Sequence, residues 1–175
     1  YALAKIAGYK LCLYLSRQYG WNTVSLMPCN LYGTNDNYDP ENSHVFPAFV
    51  RRFVTAAREN KTEEVLWGTG APLREFLHVD DVANAVYFFL QNHNDPEVVN
   101  IGSGSDITIR ELAGKIAAAA GFRGEIRWDA SRPDGMYRKL MDSSKARKLG
   151  WKPEITLDEG IERTVAEYNS GNEKR

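Results

Sequence analysis

The sequence lacks the features that mark membrane, secreted or nucleic-acid-binding proteins. No apolar run approaches the ~18 residues of a membrane-spanning helix, and the first residues have neither the basic region nor the apolar segment of a signal peptide. Lysine and arginine number 22 against 23 aspartate and glutamate, so the net charge is −1 and no basic block favours nucleic acid. We therefore expect neither a membrane partner nor a nucleic-acid partner.

Cysteine is scarce, and the two cysteines do not have the spacing of a metal site. Cys12 lies in a segment with helical periodicity, and Cys29 follows a short apolar run. A chain of 175 residues, 43% of them hydrophobic, can bury a core without a disulfide. The sequence thus predicts a reducing, cytoplasmic setting and no metal site.

A complete glycine-rich phosphate loop is also missing. The nearest match, "NIGSGSDIT", has Gly102 and Gly104 after an apolar run, but Ile107 stands where G-x-G-x-x-G requires its third glycine. A tight turn between a strand and a helix explains both glycines without a ligand. The motif by itself does not predict a dinucleotide site.

Helical and strand patterns alternate along the chain. Apolar residues at helical spacing run from the first residue to about Tyr19, and Gly20 suits a C-terminal cap. Further helices are predicted at 47–60, 80–92, 108–120, 143–149 and 157–168, and short strands at 21–28, 64–68, 73–79, 97–102, 124–128 and 138–142. The tail from residue 170 is expected to fray. The alternation indicates an α/β layered fold.

The chain opens with a tyrosine and a lysine four residues apart, Tyr1 and Lys5. On a helix this spacing places both side chains on one face, where the ammonium can stabilise a phenolate and make the tyrosine a proton donor. The same pair is also common on ordinary helices. Taken alone, it leaves both interpretations open.

Several further motifs accompany this pair in order: "MPCNLYG", "NSHV", "LREFLHVDDVA", "NIGSG", "TIREL" and "RPDGMYRKLMDSSKARKLGW". Their order and spacing resemble those of the extended short-chain dehydrogenases/reductases that act on sugar nucleotides. The resemblance implies the C-terminal part of an NAD(P)-binding Rossmann fold, a doubly wound parallel sheet, together with a smaller α/β substrate-binding domain. Residues 1–34 would end the dinucleotide-binding domain, and residues 35–175 would form mainly the substrate-binding domain, with 79–104 returning to the sheet.

The resemblance is strongest to family members that epimerise C3 and C5 and reduce C4 of GDP-4-keto-6-deoxy-D-mannose, giving GDP-L-fucose. It implies an NADP-dependent epimerase and reductase with NADP(H) as cofactor, a GDP-sugar as substrate and a homodimer to which the opening helix contributes. It also implies that the glycine-rich NADP loop lies upstream of this sequence, so we expect the 175-residue chain alone to be inactive. Two alternatives stay open: another sugar-nucleotide epimerase or reductase of the same superfamily, and a non-catalytic sugar-nucleotide-binding fragment.

Catalytic roles come from the resemblance. Tyr1 would donate a proton to the C4 carbonyl oxygen, and Lys5 would assist Tyr1 and hydrogen-bond the nicotinamide ribose. His44 would contact the cofactor and act as the acid at C3 and C5, paired with a cysteine that neither Cys12 nor Cys29 replaces. Without the family pattern, a loop histidine such as His44 reads as a solvated or capping residue.

The resemblance also assigns a nicotinamide loop, whose backbone would meet the carboxamide through Pro28, Cys29, Asn30 and Leu31. Cys29 stands where the family pattern has a threonine, and Thr34 stands where it has a proline. A proline that ends a strand explains Pro28 but not the neighbouring Asn30 and Tyr32.

Positions that contact the sugar nucleotide in the family match Arg52, Trp67, Arg74 and Asp134. Arginine forks suit a diphosphate, and the aspartate would accept hydrogen bonds from a ribose or sugar hydroxyl. Without the family pattern, Trp67 reads as core and Asp134 as a turn residue.

The other charged and imidazole residues are expected to be structural. Arg51 is expected to be solvated, because successive helical residues point in different directions. Asp80 or Asp81 is expected to cap a helix. His78 and His93 are expected to be structural, and Arg138 and Lys139 are not assigned to the site.

Overall fold

Helices and strands alternate in the computed structural model, which describes residues 1–171. The helices are α1 (Ala2–Tyr19), α2 (Val45–Arg58), α3 (Val79–Asn92), α4 (Ile109–Ala119), α5 (Ser144–Lys148) and α6 (Leu157–Asn169). The strands are β1 (Leu26–Pro28), β2 (Asn30–Tyr32), β3 (Glu63–Trp67), β4 (Leu73–Arg74), β5 (Phe76–His78), β6 (Val99–Ile101), β7 (Ile107–Thr108), β8 (Glu125–Asp129) and β9 (Arg138–Lys139). The predicted α/β class is confirmed. Residues 172–175, which end the predicted substrate domain and its fraying tail, lie outside the described residues.

Most strands pair in parallel with a partner far away in sequence. β1 pairs with β6, β2 with β5 and β3 with β8, all in parallel. β4 lies between β7, which is antiparallel to it, and β9, which is parallel to it. The β1–β6 pair is the contact that a return of residues 79–104 to the first sheet requires, although the division into two domains stays a prediction.

Capping residues define the helix ends, and one of the predicted caps was wrong. Gly20 ends α1 in the left-handed conformation, and Thr108 and Glu111 form the predicted capping box at α4. At α3 the prediction of an aspartate cap was wrong, because the His78 ring accepts from the Asp80 backbone N–H and Asp80 lies in the first turn. Asp81 is buried instead, and its carboxylate accepts from the backbone N–H groups of Glu154 and Ile155.

Two apolar clusters form the core. The larger cluster joins α2, α4 and α6 to β2, β3 and β5 through residues such as Phe53, Leu66 and Ile116. The smaller cluster packs Phe89 of α3 against Val99 and Ile101 of β6 and against Trp151. Burial of such side chains is the main favourable term in folding.

Helix α1 takes little part in either cluster. Leu13 is its buried residue, whereas Leu3 is 78% exposed, and Ile6 and Leu11 are also exposed. The helix is tied to the chain before β6 by hydrogen bonds from Tyr9 and Arg17 to Glu97. Within residues 1–171, none of the helices combines the length and apolar character needed to cross a membrane.

Tyr32 links β2 to the larger cluster. This packing explains the presence of Tyr32, which a strand that ends at a proline did not explain. Its ring stacks on Phe46 with 4.0 Å between ring centres and meets Phe76 edge-on. Burial raises the pKa of its phenol. The Tyr32 hydroxyl lies so close to Gly160 of α6 that a β-carbon on Gly160 would overlap it. Tyr32 is therefore a core residue that requires glycine on α6.

We expect Gly160→Ala to lower the free energy of unfolding by about 1–3 kcal/mol, because the added methyl group overpacks the Tyr32 ring. Gly114→Ala is the matched control, since Gly114 also lies in a helix but has no atom within 4 Å of the added carbon. The control should raise stability by about 0.5–1 kcal/mol. Denaturant unfolding measures both variants. Equal stabilisation by the two alanines would contradict the packing of Tyr32 on Gly160.

Candidate functional site

The predicted nicotinamide loop lies where β1 ends. Half-buried Pro28, Cys29 and Asn30 occupy this end of the sheet, and Leu31 is partly exposed. The Cys29 backbone N–H donates to the Ile101 carbonyl at 3.0 Å. Because β1 and β6 are parallel, the loop lies beside the 102–104 turn that follows β6. Ligands of open α/β sheets bind at the carboxyl ends of strands, so this position suits a cofactor.

Cys29 is not suited to act as a base. Burial, with a smaller contribution from the nearby Glu75 charge, raises the pKa of the Cys29 thiol to about 12. The thiol is therefore protonated at neutral pH, and the thiolate is the reactive form. This supports the expectation that Cys29 does not replace the cysteine partner of His44.

Tyr1 and Lys5 lie together at the start of α1. The Lys5 ammonium is 5.4 Å from the centre of the Tyr1 ring, and Tyr1 is 97% exposed. Among residues 1–171, neither side chain makes a hydrogen bond or ion pair with another side chain of the predicted site. The structure thus brings the pair together without connecting it to the other predicted residues.

His44 stands at the N-terminus of α2 with an exposed side chain. It occupies the N-cap position, but its ring makes no capping hydrogen bond. Burial raises the pKa of Asp36, and the Asn37 amide and the neighbouring His44 partly offset that shift. His44 is therefore accessible and lies near a carboxyl group, in an arrangement that leaves its ring free for a ligand.

The Arg52 side chain of α2 donates hydrogen bonds to strand β3. Its Nε donates to the Glu64 carboxylate at 2.6 Å, and its Nη2 donates to the Val65 carbonyl. The guanidinium is thus held against β3 at Val65, two residues before Trp67. The neighbouring Arg51 is half-buried, and its Nε is buried without a partner among residues 1–171, so the prediction of a solvated Arg51 was wrong.

Trp67 ends β3 and is not a core residue. Its side chain is 71% exposed, and the Arg132 guanidinium lies 5.1 Å from the ring centre. A cation over an indole face is attracted by the ring quadrupole. The sequence analysis did not identify Arg132, because Arg132 is far from Trp67 in the sequence and no local pattern connects the two residues.

Asp134 binds the turn that follows Trp67. Its carboxylate accepts from the Thr69 backbone N–H at 2.9 Å and from the Thr69 hydroxyl at 2.6 Å, and these bonds lower the pKa of the Asp134 carboxyl. Next along the chain, Gly135 lies beside the half-buried Arg74, whose Nη1 donates to the Leu73 carbonyl. The structure thus brings Trp67, Arg74 and Asp134 into one neighbourhood.

Other features lie apart from this neighbourhood. A cleft of about 310 Å³ between the 103–107 turn and the 153–157 segment contains none of the predicted site residues. Within residues 1–171, no group of three His, Cys, Asp or Glu side chains could hold a metal ion. His78 is buried and packs edge-on against Tyr32, and His93 packs against Phe89, as expected of structural residues.

Comparison with known proteins identifies the family. Residues 1–102 match the NAD dependent epimerase/dehydratase family, and the chain belongs to this family. It is 54% identical to "Probable GDP-L-fucose synthase 1" of Oryza sativa subsp. japonica over 96% of the chain and 51% of that relative. It is 48% identical to "GDP-L-fucose synthase" of Escherichia coli (strain K12) over 94% of the chain and 54% of that relative. The chain spans about half the length of the curated relatives it matches.

A solved structure supports the same fold. The GDP-mannoheptose C4 reductase from Campylobacter jejuni with NADP bound is 33% identical, with a TM-score of 0.82 over 95% of this chain and 59% of that chain. The chain therefore has the Rossmann-type α/β architecture expected of the family.

We expect Thr69→Val to raise the pKa of the Asp134 carboxyl towards its usual value, because the variant removes the shorter of its two hydrogen bonds. Since the folded-state pKa is below that of the unfolded chain, the contact stabilises the fold above the usual carboxyl pKa, and this contribution is lost as the pH falls through the folded-state pKa. An NMR titration of the carboxyl carbon measures the shift, and Thr69→Ser, which keeps the hydroxyl, should leave it unchanged. The same titration curve in wild type and Thr69→Val would show that the Thr69 hydroxyl does not lower the pKa of the Asp134 carboxyl.

Proposed function

We propose that this chain forms the Tyr/Lys pair and the sugar-nucleotide subsite of a GDP-L-fucose synthase. In the complete protein this enzyme would epimerise C3 and C5 of GDP-4-keto-6-deoxy-D-mannose and reduce C4, giving GDP-L-fucose. The observation that carries the proposal is the common neighbourhood of Trp67, Arg74 and Asp134, three separate matches to the family's sugar-nucleotide contacts. The similarity to proteins named as GDP-L-fucose synthases over nearly the whole chain supports it.

The cofactor of the proposed reaction is NADP(H), which supplies a hydride when bound. We assign residues 28–31 at the end of β1 to its nicotinamide end, Lys5 to the ribose and His44 to a further contact. The 102–104 turn does not fit a phosphate, because a β-carbon on Gly102 would meet Glu75 and one on Gly104 would meet Arg147. These side chains fill the space that an open phosphate cradle needs.

The proton transfers are assigned to exposed side chains. Tyr1 donates a proton to the oxygen on C4, and the Lys5 ammonium stabilises the phenolate that this leaves. His44 donates a proton at the carbons next to the ketone, which replaces the proton that the paired cysteine base of the family pattern removes. The exposure of Tyr1 and His44 supports these roles, because a ligand can reach both.

Different side chains of the proposed subsite would bind different parts of a GDP-sugar. Trp67 offers an exposed aromatic face to the nucleotide, and Arg52 and Arg74 offer donors to the diphosphate. Asp134 shapes this subsite through Thr69 and presents its remaining lone pairs to a hydroxyl of the substrate.

The assembly and setting of the complete protein are part of the proposal. Exposed Leu3, Ile6 and Leu11 suit α1 for a homodimer interface, because large apolar patches on a surface mark contacts. The two cysteines are free, which supports a reducing cytoplasm. We also retain the division into residues 1–34 and 35–175, with 79–104 returning to the first sheet.

The two proton-transfer roles can be separated in the complete protein. Tyr1→Phe should slow NADPH oxidation by about 10²–10⁴-fold, because the phenolic proton is lost, while exchange at C3 and C5 in deuterated water continues. His44→Ala should abolish that exchange. Tyr14→Phe, on the same helix and also exposed, is the control and should retain both activities. Reduction by wild type without deuterium uptake would contradict the epimerase role and favour a C4 reductase.

The chain of residues 1–175 alone should show no NADPH oxidation with GDP-4-keto-6-deoxy-D-mannose. The physical reason is that the 102–104 turn, the nearest match to a phosphate loop in the sequence, is filled and offers NADPH no open cradle. Calorimetry with GDP and NADPH separates the two sites, and we expect GDP to bind and NADPH not to bind. Turnover by this chain would contradict the prediction.

A further inference from the structure

A carboxylate that sequence reasoning did not assign is completely buried beside the proposed site. Glu75 joins β4 to β5, and 0% of it is exposed. Burying a carboxylate is costly unless hydrogen bonds replace the water that it loses. Its position within the apolar strand pattern "LREFLHV" is the signal that could have identified it.

The hydrogen bonds of Glu75 join segments that are far apart in sequence. Its Oε1 accepts from the Gly104 N–H at 2.7 Å and from the Ser103 hydroxyl at 3.5 Å, and its Oε2 accepts from the Met141 N–H at 3.0 Å. Its backbone carbonyl accepts from the Asn30 side chain at 2.7 Å. One residue therefore fixes the turn after β6, the segment after β9 and the start of β2.

These segments belong to the two halves of the proposed site. Asn30 lies in the nicotinamide loop, and Arg74 directly precedes Glu75 on the sugar-nucleotide side. Met141 follows β9, which pairs with β4 at Arg74↔Lys139. The Glu75 charge also contributes to the raised pKa of the Cys29 thiol in the nicotinamide loop. The carboxylate itself binds the 102–104 turn, which lies beside the nicotinamide loop, and the segment after β9, so a shift of the carboxylate would move these two segments relative to each other.

We propose that Glu75 is a positioning residue that sets the nicotinamide loop against the sugar-nucleotide subsite, and this inference rests on the proposed function. Glu75 has no surface that a ligand could touch, so it acts through the backbone groups that it binds. Hydrogen bonds to an ionised acceptor are short and directional, which suits them to fix a distance. Hydride transfer depends steeply on that distance, because displacements near 1 Å can lower rates by orders of magnitude.

The test uses the complete protein with Glu75→Gln. Glutamine keeps the shape but turns an NH₂ towards one of the two backbone donors, Gly104 or Met141. We expect kcat to fall about tenfold or more while KM for the sugar nucleotide changes less, since one charge-assisted hydrogen bond is lost. Gly102→Ala is the second variant, because its β-carbon would displace the Glu75 carboxylate without altering Glu75, and it should lower kcat in the same way.

Asp81→Asn is the matched control. Asp81 is also a buried carboxylate that accepts from two backbone N–H groups, at 2.9 and 3.1 Å, but its partners Glu154 and Ile155 belong to no predicted subsite. It should lower the unfolding midpoint as Glu75→Gln does, with kcat within about twofold of wild type. Unchanged kcat in both Glu75→Gln and Gly102→Ala, or an equal fall in Asp81→Asn, overturns the positioning role alone. A wild type that does not reduce the 4-keto sugar overturns the proposed function and this inference together.

Discussion

Parallel pairing between strands that are distant in sequence is the constraint on which the site depends. Parallel strands cannot be joined by a tight turn, so the chain must cross over between them, usually through a helix. The pairs β1–β6 and β3–β8 each place two carboxyl ends at the same edge. The first edge gathers residues 28–31 and the 102–104 turn, and the second gathers Trp67 with residues 129–132. Both halves of the proposed site are thus consequences of strand order.

The polar side chains of the site already have partners within the chain. The Glu64 carboxylate holds Arg52, Thr69 holds Asp134, and Arg132 covers Trp67. The diphosphate of the proposed substrate would compete with a half-buried ion pair at Arg52, whereas the Arg74 side chain donates only to the neighbouring Leu73 carbonyl among residues 1–171. Breaking a partly buried pair leaves a carboxylate without its cation, which costs free energy. In the proposed function, Arg74 is therefore the more available of the two donors for a diphosphate.

The sequence predicted the class, most of the helices and the caps at Gly20 and Thr108, because these caps depend on neighbours within one turn. It could not show that Trp67 lies on the surface under Arg132, or that Glu75 binds three distant segments, since these contacts link residues far apart in the chain. The strand predicted at 21–28 was too long for the same reason, because this run forms a strand only at Leu26–Pro28, where β6 provides partners. At α3, aspartate is a common cap and histidine is not, so the local pattern favoured Asp80 over His78.

Helix α1 carries the proposed Tyr1/Lys5 pair but is held by few contacts within the described chain. Most helical stability in proteins comes from packing of an apolar face, yet among the residues of α1 only Leu13 is buried in the described chain. Tyr1 and Lys5 stand at the end of this helix, away from its hydrogen bonds to Glu97. Proton transfer requires the donor oxygen within hydrogen-bond reach of its acceptor. In the proposed homodimer, a surface that covers Leu3 and Ile6 would also hold the start of α1, so assembly and the proposed proton transfer from Tyr1 would depend on the same helix.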